Sequence, residues 1–300
     1  MRIRDKIKKP QRPFVAYEIL PPREKDGTLN SYAETISSLL SQTHIDAINI
    51  PEVHDEIGRG DRPISNQDRG EPRKFGMLLQ DIVGIEAIVN RVVVHMPFNK
   101  QMEWLEETYD KYEIDNMIIV GGESSKQKYP GPTVNDTLYA ISNEFNNNIG
   151  SIFCGGICIP SRDKESKNLI KKSKCGAEFF TTQVLCDSDN IIKMINNYQN
   201  RCNAIGTFPR RILLSFAPVS NQKNIDFLKW LGVEIPSDTE KYLNGRPGSM
   251  TERSLDVAIE VLNEILDYIS NNNLKVPVGL NVEHIMSYNF QSSVEMLQEL

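Results

Sequence analysis

Eight short apolar runs punctuate this chain, spaced so that a helix can follow nearly every one. The runs are Val15–Leu20, Asp46–Ile50, Arg91–Met96, Asn116–Gly121, Ser151–Cys158, Phe179–Leu185, Arg211–Pro218 and Val278–His284. Amphipathic stretches lie between them, including Asn30–Gln42, Lys100–Tyr112, Val134–Asn146, Lys164–Cys175, Asp187–Arg201 and Lys223–Leu231. The clearest is Ser254–Asn271, which carries Leu255, Ala258, Ile259, Leu262, Ile265, Leu266 and Ile269 along one face. Alternating strands and helices make a parallel sheet. The strands are continuous apolar runs, as expected where helices cover the outer face and a core fills the inner one. Eight such units in 300 residues predict an α/β protein, a (β/α)8 TIM barrel forming a single domain over residues 1–300. An open doubly wound sheet is the alternative. No Gly-x-Gly-x-x-Gly follows the first strand, and Gly58-Arg59-Gly60 lies in a polar loop, so a dinucleotide fingerprint is missing.

Composition narrows the function. A net charge of −6 argues against a general nucleic-acid binder. No apolar run reaches the roughly 18 residues of a membrane helix. The start, Met1-Arg2-Ile3-Arg4-Asp5-Lys6, is basic but is not followed by the apolar core of a signal peptide. The five cysteines are odd in number and form no Cys-x-x-Cys pair, which fits reduced thiols in a cytoplasm. The four histidines lack metal-ligand spacing, so no metal is expected. A homo-oligomer and a subunit of a complex are both compatible with the chain.

In a barrel the chemistry sits at the carboxyl ends of the strands. Polar residues gather there: Glu18 on strand one, Asn49 to Glu52 on strand two, His95 on strand three, Gly121-Gly122-Glu123 on strand four, Ser161-Arg162 on strand five, Thr182-Gln183 on strand six, Ser220-Asn221 on strand seven, and Asn281, Glu283 and His284 on strand eight. Glu18 sits inside Phe14-Val15-Ala16-Tyr17-Glu18-Ile19-Leu20, which Pro21-Pro22 ends. A carboxylate among apolar neighbours is costly unless it is paired or its pKa rises, and a raised pKa suits a general acid near neutrality. The plainer reading is a glutamate satisfied by a local arginine or backbone amide, and the segment alone weighs the two equally. Gly121-Gly122 can bring backbone close to a ligand, though a tight turn explains an isolated Gly-Gly more simply. The loop from Ser124 to Thr133 is either a lid or a surface excursion. Glu165, Asn168 and Lys172 share a helix face that suits a ribose and a pyrophosphate, whereas a solvated basic helix is the simpler account.

The segment Tyr17-Glu18-Ile19-Leu20-Pro21-Pro22 resembles the Phe-Glu-Phe-Phe-Pro-Pro opening of methylenetetrahydrofolate reductases. Cys175-Gly176-Ala177, followed by Thr182-Gln183, resembles that family's Ala-Gly-Ala and Thr-Gln segment, and Pro218-Val219-Ser220-Asn221 its Pro-Val-Ser-Asn. The order and spacing hold along nearly the whole chain. The resemblance implies a (β/α)8 barrel binding FAD, which takes a hydride from NADH or NADPH and reduces methylenetetrahydrofolate to the methyl form. It implies that Glu18 is the acid that opens the folate ring to an iminium. Glu123 stands at the strand-four acid, Gln183 at the glutamine that contacts substrate, and His95 with Gly121 and Gly122 beside the flavin. Glu165, Asn168, Lys171 and Lys172 match the residues around the FAD adenosine half. The chain also departs from the family pattern. Gly121 replaces an arginine and Pro51 a threonine. Gln222 and Glu283 occupy substrate positions that are aromatic in the family, and Tyr129-Pro130-Gly131-Pro132 replaces the flavin-loop sequence. These departures resemble a branch in which some members act without tightly bound flavin. The expected function is therefore reduction of a methylene-folate or related pterin, with FAD ahead of direct hydride transfer, in the context of methionine biosynthesis. A pterin-dependent one-carbon transferase and a non-catalytic folate- or flavin-binding subunit are the competing classes.

Overall fold

The computed structural model describes residues 1–9, 11–54, 69–122 and 127–300, with nothing said of the Ser287 side chain. Eight parallel strands close into a barrel in sequence order: β1 (Val15–Ile19), β2 (Ala47–Pro51), β3 (Ala87–Val92), β4 (Asn116–Val120), β5 (Phe153–Cys158), β6 (Phe179–Val184), β7 (Arg211–Phe216) and β8 (Val278–His284). β8 pairs with β1, as Val15 with Leu280 through Ile19 with His284, and this pairing removes both sheet edges. The TIM-barrel expectation holds.

The helices are α1 (Ile3–Ile7), α2 (Leu29–Leu40), α3 (Pro72–Val83), α4 (Phe98–Tyr112), α5 (Val134–Ala140), α6 (Asn146–Asn148), α7 (Glu165–Lys174), α8 (Asp189–Ala204), α9 (Gln222–Trp230), α10 (Ser237–Leu243), α11 (Met250–Asn271) and α12 (Phe290–Glu299). A π-helical turn, Ile141–Phe145, joins α5 to α6. Their apolar faces cover the outside of the sheet in one large core that includes Ile36, Phe75, Leu105, Leu169, Ile195 and Ile265. A second cluster fills the amino-terminal end of the barrel, where Ile3 and Ile7 of α1 close over Phe14, Ala16, Ile88, Phe153 and Phe179.

Strand three departs from expectation. The run Arg91–Met96 is the end of β3 followed by a 3-10 turn, Val93–His95. The Glu52 carboxylate accepts from Val92 N (2.8 Å) just where the ladder stops, and Pro97 keeps Met96 extended. Valines 93 and 94 are buried in the turn, so their β-branched character misled the strand assignment. α3 was not anticipated, although its signals are local. Glu71 caps it by accepting from Lys74 N (2.9 Å), Pro72 occupies the first helical turn, and Gly84 ends it at φ 72°. α11 starts earlier than its apolar stripe because Ser249 and Glu252 form a reciprocal capping box.

Candidate active site

The carboxyl ends of the strands open into a cavity of about 450 Å³. Its floor is a belt of polar side chains that barrel register sets side by side. Glu18 pairs in register with Asn49 of β2 and with Glu283 of β8, and Asn281 pairs with Ser215 of β7. Asn49 Nδ2 donates to Glu18 Oε2 at 2.6 Å, and Asn281 Nδ2 donates to the same oxygen at 3.1 Å. Asn281 Nδ2 also reaches Ser215 Oγ (3.0 Å) and Glu283 Oε1 (3.4 Å). Ser215 Oγ lies 3.3 Å from Thr181 Oγ1. Asn49, Asn281, Ser215 and Thr181 are buried, so these bonds are shielded from competing water.

This setting decides between the two readings of Glu18. No cation pairs with it among the described residues; its partners are neutral amides. Burial therefore dominates and lifts its pKa to about 7, with the Asn281 hydrogen bond opposing. Glu283 is pushed well above the ordinary carboxyl value, first by burial and then by Glu18 beside it. The floor of the cavity thus holds two carboxyls whose burial favours the protonated form.

The side walls differ in character. On the β2–β3 side, Glu52 is bonded by Arg91, by Val92 N and by His54 (3.3 Å). Burial pushes the Glu52 carboxyl up, but His54 and Arg91 outweigh it and hold it below its usual range. His95 packs 4.5 Å from His54 and 5.6 Å from Tyr129, ring centre to ring centre, and burial lowers its pKa. It stands in the turn after β3 rather than on the strand. On the far side, Phe227 and Trp230 of α9 stack at 5.9 Å and 10° and line the cavity beside Leu231 and Val233.

Six of the expected site residues line this cavity: Glu18, Gly121, Gly122, Lys172, Gln183 and Glu283. Gln183 Nε2 donates to the Leu231 carbonyl at 2.8 Å and so ties β6 to the end of α9. Gln222 is exposed at the start of α9 and bonds Asp226 (2.9 Å) and Asn244 (2.9 Å), away from the cavity. Lys171 is exposed. Glu165 is almost wholly buried and accepts from Ile159 N (3.2 Å), Asn168 Nδ2 (3.0 Å) and Lys172 Nζ (3.3 Å). Lys172 Nζ also donates to the Ile157 carbonyl. Glu123 falls outside the described residues. Sequence reading placed Asn49 and Asn281 at strand ends without a role and did not single out Ser215 for the site, so it missed the polar belt that the three form. Its signal was a polar residue inside each of three apolar runs, which becomes meaningful only once barrel register brings them together.

Fold and site define a (β/α)8 barrel whose strand-end cavity is floored by carboxyl groups and amides. The sequence profile described as methylenetetrahydrofolate reductase matches residues 2–297, and the chain belongs to that family. Among solved structures the chain is similar to an uncharacterised protein from Clostridium thermocellum that binds two copies of 5-methyl-5,6,7,8-tetrahydrofolic acid. The TM-score is 0.78 and the identity 19%, over 99% of this chain and 98% of that one. A 2,3-dimethylmalate lyase of the PEP mutase/isocitrate lyase superfamily gives a TM-score of 0.48 and 12% identity, over 97% of this chain and 93% of that one. No curated protein matches the sequence.

Among the described residues, those that the resemblance assigns to FAD do not stand free to hold it in the way the resemblance implies. Of the four residues expected at its adenosine half, Glu165, Asn168 and Lys172 satisfy one another and the β5–α7 loop, while Lys171 faces solvent. The close approach that Gly122 permits is taken by Tyr129, whose ring carbon would lie 2.2 Å from a Cβ on that glycine.

Proposed function

We propose that this protein binds a reduced folate in the strand-end cavity and reduces its methylene group to methyl, with Glu18 as the acid and a reduced nicotinamide as the hydride source. The observation that carries this reading is the floor of the cavity: a carboxyl with no cation partner among the described residues, its pKa raised by burial and its oxygen held by Asn49 and Asn281, at the carboxyl ends of the strands. The folate bound by the Clostridium thermocellum protein supports the choice of ligand.

The chemistry follows from these groups. Glu18 donates its proton to the bridging nitrogen of methylenetetrahydrofolate, which breaks the carbon–nitrogen bond and leaves an iminium at the methylene carbon. The Glu18 carboxylate that remains is stabilised by the two amide N–H groups and sits close to the new positive charge. When bound, the nicotinamide supplies the hydride that completes the methyl group. The apolar wall of Phe227, Trp230 and Leu231 offers a flat surface for a planar ring and keeps water from the iminium. Gln183 lines the cavity with its Nε2 donating to the Leu231 carbonyl, and its amide oxygen can accept from a pterin edge.

The test combines binding and turnover. Calorimetric titration with 5-methyltetrahydrofolate should give saturable binding, and methylenetetrahydrofolate should drive NADH or NADPH oxidation without added flavin. Glu18→Gln should lower that turnover by about 10²- to 10⁴-fold while 5-methyltetrahydrofolate binding stays within a few-fold. Near-normal turnover in this variant would sink the acid role. Flavin absorption bands that appear and persist after incubation with FAD would replace the nicotinamide with the flavin as direct donor. Binding without any nucleotide oxidation would favour the transferase or binding-subunit class.

A further inference from the structure

A second carboxyl stands beside the acid. Glu283 is the register partner of Glu18 across the β8–β1 seam, and both line the cavity. One nitrogen, Asn281 Nδ2, has three acceptors within reach: Ser215 Oγ at 3.0 Å, Glu18 Oε2 at 3.1 Å and Glu283 Oε1 at 3.4 Å. A primary amide carries only two protons for these three acceptors, the longest contact is to Glu283, and the Ser215 hydroxyl is a further hydrogen-bond partner of Glu283. Glu18 has a second donor in Asn49. No ion pair to either carboxyl is present among the described residues. Among the described residues, the other charged or titratable groups that line the cavity are Glu52, His54, Arg162, Lys172 and His284. Lys172 is bonded to Glu165 and to the Ile157 carbonyl, and Glu52 to Arg91 and His54. His284 stacks at 6.3 Å on Tyr17. Arg162 is exposed at the mouth. Two adjacent carboxyls with no cation on either among the described residues, served only by shared amide and hydroxyl donors, cannot both ionise cheaply.

We propose that Glu18 and Glu283 form a proton-sharing pair, which keeps one proton above the pH at which a lone Glu18 would have lost it and presents that proton to the basic nitrogen of the substrate. The inference rests on the reading of Glu18 as the acid and adds Glu283 as its partner in holding the proton. The raised pKa values of both groups agree with it. In the step, one carboxyl O–H bond breaks as the substrate N–H bond forms. The pair gains one negative charge, which solvent protons neutralise through the cavity mouth after product leaves.

The pair can be tested on the free protein, without folate, by following carboxyl signals in ¹³C-glutamate spectra between about pH 6 and pH 10. Wild type should show one carboxyl titrating near neutrality and another that stays protonated well beyond it. Glu283→Gln and Glu18→Gln should each lose the persistent signal and leave a single carboxyl that titrates at lower pH than the last proton of the pair. Both carboxyls titrating in the ordinary range, or a persistent signal that is unmoved in either variant, would overturn the pair. If a variant fails to fold, the wild-type titration alone decides. In the nucleotide-oxidation assay, Glu283→Gln should move the alkaline limb of the rate profile to lower pH by at least about one unit, a tenfold loss at the alkaline end. A uniform drop with the limb unmoved would mean a structural role only and would count against the pair. Lost folate binding with the two-carboxyl titration intact would overturn the folate reading and leave the pair supported.

Discussion

Glu18 shows how one residue's surroundings set its chemistry. Its carboxyl is raised because burial acts against the charged form and only neutral amides answer it. The raised value has a stability consequence. The native state binds a proton that the unfolded chain releases in the range from the ordinary carboxyl value, 4.5, to about 7. Stability from this group is therefore full below 4.5 and is lost as pH rises through about 7. Discounted for the face that Glu18 opens to the cavity, the loss is on the order of 2 kcal/mol. Glu18→Gln should flatten this slope and be the more stable protein at pH 8, which urea midpoints measured at pH 5 and pH 8 would check. A wild-type midpoint that does not fall between those values would contradict the pKa assignment.

At the scale of elements, α1 and α7 each depend on a buried charge rather than on propensity. α1 has only five residues, too few to be stable alone. It is held over the barrel floor by Ile3 and Ile7 and by Arg211 of β7, whose guanidinium donates to Ile7 O (3.0 Å), Val278 O (2.6 Å) and Lys9 O. Arg211→Met would leave those carbonyls without a donor. It should cost about 3 kcal/mol and expose the amino-terminal segment to protease. An unchanged melting temperature together with an unchanged digestion pattern would show that the apolar plug suffices. The basic residues at the start of the chain thus take structural roles: Arg2 and Arg4 pair with Asp115, and Lys6 with Asp46. In α7, Glu165 gathers Ile159 N, Asn168 and Lys172 into a clamp on the β5–α7 loop. Residues whose spacing suits a nucleotide here bond one another and the loop.

At the scale of the whole molecule, closure is the organising fact. β8 contributes two of the floor residues, Asn281 and Glu283, and pairs with both β7 and β1. A chain ending before β8 would leave two open parallel edges and half of the amide belt missing. Such a truncation, ending at Lys275, should fail to give a cooperative unfolding transition and should aggregate. A sharp transition comparable to that of the intact chain would show that seven strands suffice. The same closure explains why the acid and its partners come from opposite ends of the sequence, with Glu18 and Glu283 side by side.

Most of the architecture was legible in the residues themselves. Alternating apolar runs and amphipathic stretches carry a period that only a parallel α/β fold satisfies, and seven of the eight strands fell near their places. The third slipped because a valine run reads as strand whether it pairs or turns, and only the Glu52 bond to Val92 N ends the ladder there. Glu18 was legible as a buried acid at a strand end, since its neighbours along the chain are apolar and two prolines stop the run. Whether it was paired was not legible. That depended on Asn49 and Asn281, which lie far from it in sequence and meet it only through barrel register. The roles of Glu165, Asn168 and Lys172 were decided by the same kind of fact. Helical spacing showed that they share a face, but only packing against β5 decided that the face turns inward and binds the protein itself. Sequence determines which groups a chain can bring to a site. Register and burial decide which of them meet and which keep their protons, because a hydrogen-bond partner and a local dielectric are properties of the folded neighbourhood.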